Sequence, residues 1–219
     1  MATSRLEMQK MNRALLYSSF LDTAKQIQHK TGIHSGNCLE ISAGNGLLGI
    51  AIAQNSHMHV FLMESSKDML SKAAANLRVS GLENQNQVRL IKGSLVKIPL
   101  GDATMDLVVS RSSIFFWQNR VKAFQEIYRV LAPGGMACIG GGFWNEDIKR
   151  RVEGKLEEYN PKLLGQLSGY IWRQSVESLA SKMIEAGIDS YEMDCGDDGL
   201  WIFIRKSAIK QGVSYFHSQ

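Results

Sequence analysis

The sequence has few cysteines, few prolines and no long apolar run. Its 219 residues include three cysteines and three prolines. The cysteines Cys38, Cys138 and Cys195 lie far apart and match neither a CxxC pattern nor the Cys/His spacing of a zinc site. Sparse, odd cysteine usage fits a reducing compartment better than a disulfide framework. We therefore expect a cytoplasmic protein without a bound metal.

Signals for membranes and for nucleic acids are also missing. No stretch approaches the ~20 apolar residues that a bilayer span needs, and residues 1–30 mix charges where a signal peptide would be apolar. The formal net charge of +4 is mildly basic, but no arginine-rich arm or lysine run accompanies it. We expect no membrane and no nucleic-acid partner. The oligomeric state stays open.

Residues 37–49 contain a strand, a glycine turn and the start of a helix. Residues 38–41 are a short apolar run typical of a buried parallel strand, and an apolar helix begins soon after Gly46. Gly44 and Gly46 permit positive φ angles and close approach of a ligand to the backbone. Strand, turn and helix together present backbone N–H groups to a polar ligand. With Gly49 the glycines spell G-x-G-x-x-G, which alone is a weak sign of a dinucleotide site.

Apolar and amphipathic runs alternate along most of the chain. They predict strands at residues 38–41, 58–63, 88–92, 105–110 and 136–140, and helices at residues 4–30, 65–79 and 121–131. Residues 17–19 favour a break in the first helix, and Pro133-Gly134-Gly135 should end the last one. Residues 191–194 and 200–205 predict an antiparallel hairpin. This order indicates an α/β fold, a doubly wound Rossmann-like parallel sheet with helices on both faces.

Three features favour S-adenosylmethionine over a dinucleotide. Glu40, on the first strand, would lie beneath the glycine turn and oppose a cationic ligand, whereas a fixed negative charge disfavours a pyrophosphate. A pair with a lysine or arginine elsewhere is the other interpretation of Glu40. The second and third features are residues 92–110, KGSLVKIPLGDATMDLVVS, and residues 126–135, EIYRVLAPGG. Over about residues 37–142 the set resembles the class I S-adenosylmethionine-dependent methyltransferases, especially their small ubiquinone/menaquinone-biosynthesis-like (methyltransferase type 11) branch.

The resemblance implies a seven-stranded, mostly parallel sheet whose last strand is antiparallel. The implied parts of a single domain are an N-terminal helical cap at residues 1–35, a cofactor-binding core at 36–142, a helical lid at 143–188 and a C-terminal β-hairpin at 189–206. The cofactor would be S-adenosyl-L-methionine, with S-adenosyl-L-homocysteine as product.

The resemblance also implies a role for each residue of the cofactor site. Glu40 and residues 42–46 would hold the amino-acid portion of the cofactor, Glu64 would bind the ribose hydroxyls, and Ser94 with Leu95 would lie at the adenine edge. Ser94 and Ser42 depart from the aspartate and the glycine that are usual there. The implied cofactor-binding residues are Glu40, Ser42, Ala43, Gly44, Asn45, Gly46, Glu64, Ser65, Met69, Ser94, Leu95 and Arg111.

Three aromatic residues that follow predicted strands, and one in the N-terminal helix, are candidates for the substrate side and the lid. They are Tyr17, Phe116, Trp117 and Trp144. Ring faces attract cations such as a sulfonium, although ordinary packing is the alternative for each ring. A sulfonium is already an activated leaving group, so positioning can supply most of the rate. The sequence identifies no catalytic residue.

The favoured interpretation is a methyltransferase that acts on a small-molecule acceptor. No Asn/Asp-Pro-Pro-aromatic tetrapeptide, which would mark amino groups of adenine or glutamine as acceptors, follows the fourth strand. The short insert suits a lid better than a docking platform for a macromolecule. The alternatives are an RNA- or protein-directed methyltransferase, a nicotinamide-dependent oxidoreductase, and a cofactor-binding protein without transfer activity.

Overall fold

The computed structural model describes residues 5–85, 87–142, 149–150, 153–154, 157, 176–196 and 199–208. The helices of these ranges that exceed one turn are α1 (Arg5–Thr31), α2 (Leu47–Gln54), α3 (Lys67–Ser80), α4 (Arg120–Val130) and α5 (Val176–Glu185). The strands are β1 (Ser35–Ile41), β2 (His57–Glu64), β3 (Val88–Lys92), β4 (Met105–Arg111), β5 (Leu131–Gly142), β6 (Tyr191–Gly196) and β7 (Gly199–Arg205).

All of these strands join one seven-stranded sheet in the order β3-β2-β1-β4-β5-β7-β6. Strands β1 to β5 pair in parallel, and β7 runs antiparallel to both of its neighbours, β5 and β6. The predicted doubly wound sheet with an antiparallel last strand is confirmed. The strand order reverses between β1 and β4, and in such sheets a crevice for ligands forms at the carboxyl ends there.

Apolar side chains cover both faces of the sheet. On one face α1, α2 and α3 contribute residues such as Ile27, Leu48 and Leu77, and on the other α4 and α5 contribute Phe124 and Met183. Successive strand residues point to opposite faces, which is why the middle strands are buried along most of their length. Each large side chain fully buried in this way stabilises the fold by roughly 1.5–3 kcal/mol.

Helix α1 is continuous, so the predicted break near residues 17–19 is wrong. Serine hydroxyls disfavour a helix when they compete for backbone groups, but Ser19 is buried and its hydroxyl accepts a hydrogen bond from Arg111 instead. The carbonyl of Ser19 accepts from Thr23 Oγ1 at 2.8 Å, one turn along the helix. Neither α1 nor another helix of the described ranges has the length and apolar character that crossing a membrane requires.

Strand β5 starts earlier than predicted. It begins at Leu131, directly after α4, and runs through Pro133-Gly134-Gly135 to Gly142. The pairing with β4 shifts register there, since Met105 pairs with Leu131 whereas Leu107 pairs with Met136. The Pro-Gly-Gly sequence therefore forms an irregularity inside the strand, with Gly134 at φ 84°.

Glycines at the end of β5 allow an unusually close approach of β7. A Cβ atom on Gly140 would lie 2.1 Å from the Leu200 carbonyl oxygen, and one on Gly199 would lie 2.1 Å from that of Gly141. A Cβ on Gly141 would lie 2.8 Å from Ser112 Oγ, in the loop after β4. These glycines thus let β7 and the loop after β4 pack directly on the carboxyl end of β5.

Candidate cofactor site

The turn between β1 and α2 holds three residues in the left-handed region. Ser42, Gly44 and Gly46 have φ angles of 52°, 56° and 73°. For glycine this conformation costs little, but a residue with a Cβ pays about 1–2 kcal/mol. The departure from glycine at position 42 therefore has an energetic cost, which the surrounding structure must offset.

One internal hydrogen bond and contacts from β2 and α3 hold the turn in place. Gly46 N donates to the Ala43 carbonyl at 2.8 Å, and Ala43 N donates to the Met63 carbonyl of β2 at 3.0 Å. From α3, Asn76 Nδ2 donates to the Asn45 carbonyl at 2.9 Å. The turn is fixed before any ligand arrives.

The glycines of this turn serve two different purposes. A Cβ on Gly46 or Gly49 would lie 2.8 or 2.3 Å from a methyl carbon of Leu62, so both glycines let α2 pack closely on β2. A Cβ on Gly44 would meet no atom within 4 Å. Gly44 thus faces open space, which is the side from which a ligand can approach the turn.

Glu64, at the end of β2, binds the backbone around it. Its Oε2 accepts from Gly44 N at 3.0 Å, and its Oε1 accepts from Ser65 N at 2.7 Å and Ser66 N at 3.0 Å. Burial raises the pKa of this carboxyl, but the hydrogen bonds from Ser66, Gly44 and Ser65 together outweigh burial and hold the pKa below its usual range. Glu64 is therefore ionised near neutral pH.

Glu40 lies beneath the turn, 4% exposed. Its Oε2 accepts from Gly49 N, in the first turns of α2, at 2.8 Å. Burial raises the pKa of Glu40 to about 8, the Gly49 hydrogen bond partly opposes this, and the charge of Glu64 adds to it. Within the described ranges no lysine or arginine forms an ion pair with Glu40, so the interpretation as half of such a pair finds no support there.

A cleft of about 430 Å³ opens at the carboxyl edge of the sheet. It gathers residues from the ends of β1, β2 and β3 and from the loop that joins β4 to α4. The lining residues are Ser42, Met63, Glu64, Ser65, Gly93, Ser94, Leu95, Val96, Ser113, Phe116, Trp117, Gln118, Asn119 and Ala123. Sequence reasoning had singled out about half of them, but it missed Ser113, Gln118 and Asn119. Their position just after a strand end was the signal that could have found them.

Some predicted cofactor-binding residues lie outside this lining. Glu40 is buried below the turn and Ala43 is buried within it, and Met69 is 37% exposed in the first turn of α3. Ser94, which does line the cleft, uses its Oγ to accept from Val96 N at 3.4 Å in a tight local turn. A serine hydroxyl keeps a second lone pair and its proton for another partner. The predicted roles of these residues remain predictions.

Arg111 contacts α1 and β5 and does not line the cleft. Its Nη1 donates to Ser19 Oγ at 3.1 Å, its Nη2 donates to the Gly142 carbonyl at 3.1 Å, and the guanidinium lies 4.6 Å from the centre of the Phe20 ring. Burial lowers the pKa of Arg111 to about 10, partly opposed by Asp22. Arg111 therefore fastens α1 to the carboxyl edge of the sheet. Its predicted role in binding the cofactor stays a prediction.

The aromatic candidates are separated from one another. The Tyr17 hydroxyl pairs with Gln54 Oε1, in the last turn of α2 and away from the glycine turn. Phe116 lines the cleft and is 82% exposed. Trp117 lines it at 7% exposed and packs edge-on against Phe124 with ring centres 5.8 Å apart. Trp144, like most of the predicted lid, lies outside the described residues.

Known proteins share this architecture. The family model described as a methyltransferase domain matches residues 39–139. A solved structure from Methanococcus maripaludis, of a protein assigned to the S-adenosyl-L-methionine-dependent methyltransferases, is 32% identical and superposes with a TM-score of 0.84. That match covers 98% of this chain and 100% of the other.

Curated relatives match over shorter stretches. The uncharacterised methyltransferase YdaC of Bacillus subtilis is 32% identical over 113 residues, which is 51% of this chain and 59% of YdaC. The 2-methyl-6-phytyl-1,4-hydroquinone methyltransferase 1 of Oryza sativa is 29% identical over 109 residues, which is 49% of this chain and 31% of that enzyme. Fold, family model and full-length structural match agree, and the chain belongs to the class I S-adenosylmethionine-dependent methyltransferases.

Proposed function

We propose that this chain binds S-adenosylmethionine at the carboxyl edge of its sheet and transfers the methyl group to a nucleophilic atom of a small-molecule acceptor. The observation that carries the proposal is the cleft, in which Glu64 and Ser65 from the end of β2 meet Ser94 and Leu95 from the end of β3. In doubly wound folds an acid at the end of the second strand accepts from ribose hydroxyls.

The residues around the glycine turn fit such a cofactor. Gly44 has open space in front of it, and Glu64 is held ionised beside it by three backbone N–H groups. Glu64 Oε1 accepts from both Ser65 and Ser66, but Oε2 accepts from Gly44 N and keeps a second lone pair for a hydroxyl. Glu40 lies below the turn as a further acid that a nearby cation would favour in its ionised form.

Bound S-adenosylmethionine supplies a methyl group on a sulfonium, which already is a good leaving group. The chain's own residues then need to hold the acceptor in line and to exclude water. Phe116 and Trp117 offer apolar walls for both tasks. Among the described residues that line the cleft, Glu64 is the one that ionises, and its proposed role is to bind the ribose hydroxyls. We therefore assign no general base.

A small acceptor is supported by the cleft and by the relatives. The cleft itself is assigned to the cofactor, but Phe116, one of its lining residues, is 82% exposed and suits a partly apolar acceptor. The rice relative carries a substituted hydroquinone in its name. The alternative, an RNA- or protein-directed enzyme, would need a continuous basic face.

Calorimetric titration tests cofactor binding. We expect S-adenosylmethionine and S-adenosylhomocysteine to bind with micromolar dissociation constants and NADH not to bind. Glu64→Ala should weaken S-adenosylmethionine binding at least tenfold, because a charge-assisted hydrogen bond is lost, whereas the exposed Glu83→Ala should not change it. Unchanged affinity of Glu64→Ala would show that the ribose site is elsewhere, and binding of NADH alone would overturn the proposal.

Acceptor screening tests the transfer step. Purified protein, S-adenosylmethionine and a panel of hydroquinones, phenols, amines and thiols would be assayed for S-adenosylhomocysteine. Turnover with a small acceptor that Glu64→Ala abolishes would support the proposal. Turnover only with RNA or protein acceptors would replace it with the macromolecular alternative.

A further inference from the structure

A chain of hydrogen bonds connects the cleft wall to the start of the glycine turn. Trp117 Nε1 donates to Ser113 Oγ at 3.0 Å, and Ser113 Oγ lies 2.5 Å from Ser110 Oγ. Ser110 Oγ donates to the Ile41 carbonyl oxygen at 3.1 Å. We call these three bonds, through Ser113 and Ser110, the serine relay.

The hydrogen bonds of the serine relay all donate in the same direction, from the Trp117 indole toward the Ile41 carbonyl. A hydroxyl has a single proton, and Ser110 uses its proton for the Ile41 carbonyl, so Ser113 must donate to Ser110. Ser113 in turn accepts from the indole N–H of Trp117. Each hydroxyl therefore both accepts and donates, an arrangement in which neighbouring bonds strengthen one another.

The relay spans the place where β1 and β4 separate. The backbone pairing between these strands ends at Glu40 and Val109. At the next position the fully buried Ser110 bonds to the Ile41 carbonyl through its side chain. Ile41 directly precedes Ser42, and Ser42, Ser113 and Trp117 all line the cleft. The relay thus joins one wall of the cleft to the residue from which the glycine turn begins.

We propose that Ser110 and Ser113 are positioning residues, which fix the Trp117 indole relative to the glycine turn and so set the shape of the cofactor cleft. Neither hydroxyl is required to touch the reacting atoms. The inference that the cleft so shaped receives S-adenosylmethionine rests on the proposed function, but the relay itself can be tested without any cofactor.

Indole N–H signals in nitrogen-15 NMR spectra test the relay directly. The Trp117 signal, assigned through Trp117→Phe, should exchange slowly with solvent in the parent protein. Ser113→Ala should shift this signal and speed its exchange, and Ser113→Thr, which keeps the hydroxyl, should restore it. Ser110→Ala should also shift the signal, although Ser110 is one bond removed from the indole.

Ser112→Ala is the matched control. Ser112 is the neighbouring serine of the same loop, it is exposed, and its side chain is no part of the relay. It should leave the Trp117 signal and its exchange rate unchanged. An unchanged Trp117 signal in Ser110→Ala, or an equal shift in Ser112→Ala, would overturn the relay.

Cofactor affinity tests the consequence for the site. Ser110→Ala and Ser113→Ala should each raise the dissociation constant of S-adenosylmethionine about fivefold, the effect of one lost hydrogen bond. The double variant should be little worse than either single one, because both break the same unit. Independent effects that multiply to about 25-fold would contradict a relay.

Two outcomes separate this inference from the proposed function. If the parent protein binds no S-adenosylmethionine, the proposed function fails, while the NMR comparison still decides the relay. If binding is unaffected by variants whose indole signal has shifted, the relay exists but does not shape the site, and the positioning role is refuted. Urea unfolding of each variant, with Ser113→Thr as the structurally mildest change, shows that the compared proteins are folded.

Discussion

Glu40 and Glu126 are both buried carboxyl groups, but their pKa values move in opposite directions. Glu126 on α4 accepts from Arg129 at 2.8 and 3.0 Å and from Ile98 N at 2.8 Å. The Arg129 hydrogen bonds lower the pKa of Glu126 more than burial raises it. Among the described residues Glu40 has one backbone donor and no cation partner, so burial raises its pKa to about 8. The partner, and not burial itself, decides which form is stable.

This difference predicts how stability depends on pH. Between pH ~4.5 and 8 folded Glu40 holds a proton that the unfolded chain has released, so its contribution to stability falls as pH rises, by up to about 1.4 kcal/mol per unit. Glu40→Gln cannot titrate and keeps an acceptor for Gly49 N. In urea unfolding, the free energy of unfolding of Glu40→Gln should therefore rise relative to that of the parent protein as pH increases from 5 to 8. A difference between the two proteins that stays constant over this range would contradict the prediction.

Glu126→Gln is the comparison of opposite sign. The lowered pKa of Glu126 means that its contribution to stability is complete above the unfolded pKa of ~4.3 and is lost as pH falls through the folded value. The parent protein should exceed Glu126→Gln in stability near pH 7. That advantage should shrink below pH ~4, and the titration of Glu40, which both proteins contain, cancels from the comparison.

Ser42→Gly should stabilise the protein in the absence of cofactor. The left-handed conformation costs serine about 1–2 kcal/mol, and glycine gives back part of this through the entropy of its unfolded state, so we expect a gain of up to ~1 kcal/mol. Ser112→Gly, at φ 61°, should behave likewise. Ser71→Gly, inside α3, should instead lose ~0.5–1 kcal/mol. A loss in all three variants by urea unfolding would refute the explanation.

At the scale of elements, the α4 residues Glu126 and Arg129 hold the segment that connects β3 to β4. Arg129 donates to the carbonyls of Leu100 and Ile98, each at 2.9 Å, and to Asp102 Oδ1 at 2.6 Å. This gives a physical reason for the EIYR part of the family pattern in this chain. The pair fixes residues 98–102, which follow the cleft residues Ser94 and Leu95.

Arg129→Met should therefore be strongly destabilising. The change leaves Lys122, 3.8 Å away, as the cation near Glu126 and leaves the Leu100 and Ile98 carbonyls without their Arg129 donor. We expect the lost charge-assisted hydrogen bonds to cost about 1.5–3 kcal/mol. Arg89→Met, on the exposed side of β3, should stay within ~0.5 kcal/mol of the parent protein. Equal effects of the two variants in urea unfolding would show that the network contributes little.

At the scale of the whole molecule, the sheet could be predicted from the sequence because its strands are apolar runs of the right length. Glu64 and Ser94, which line the cleft, could be placed there because parallel strands end at one edge; their role in binding the cofactor stays a prediction. The start of β5 could not, since Pro133-Gly134-Gly135 predicts a stop and only pairing with β4 makes it a bulge. Arg111 contacts Ser19 of α1, and Ser110 contacts Ile41 of β1, each across 69 or more residues of sequence. Local patterns do not encode such contacts.

Cofactor binding should raise the melting temperature of the molecule. A ligand that binds only the folded state at 100 times its dissociation constant adds about 2.7 kcal/mol, which for a domain of this size corresponds to roughly 5–10 °C. Thermal unfolding with S-adenosylmethionine should show this shift and with NADH should not. A shift of the same size with NADH would contradict the assigned cofactor.

The position of β7 between β5 and β6 has a consequence for synthesis on the ribosome. Among the described strands β6 pairs with β7 alone, yet β6 is translated first. Until Gly199–Arg205 has emerged, β6 has no neighbour and the edge of β5 stays open. Open strand edges can recruit strands of other chains. The nascent protein therefore remains exposed to aggregation until β7 is added, and a chaperone that shields strand edges would help it most during that interval.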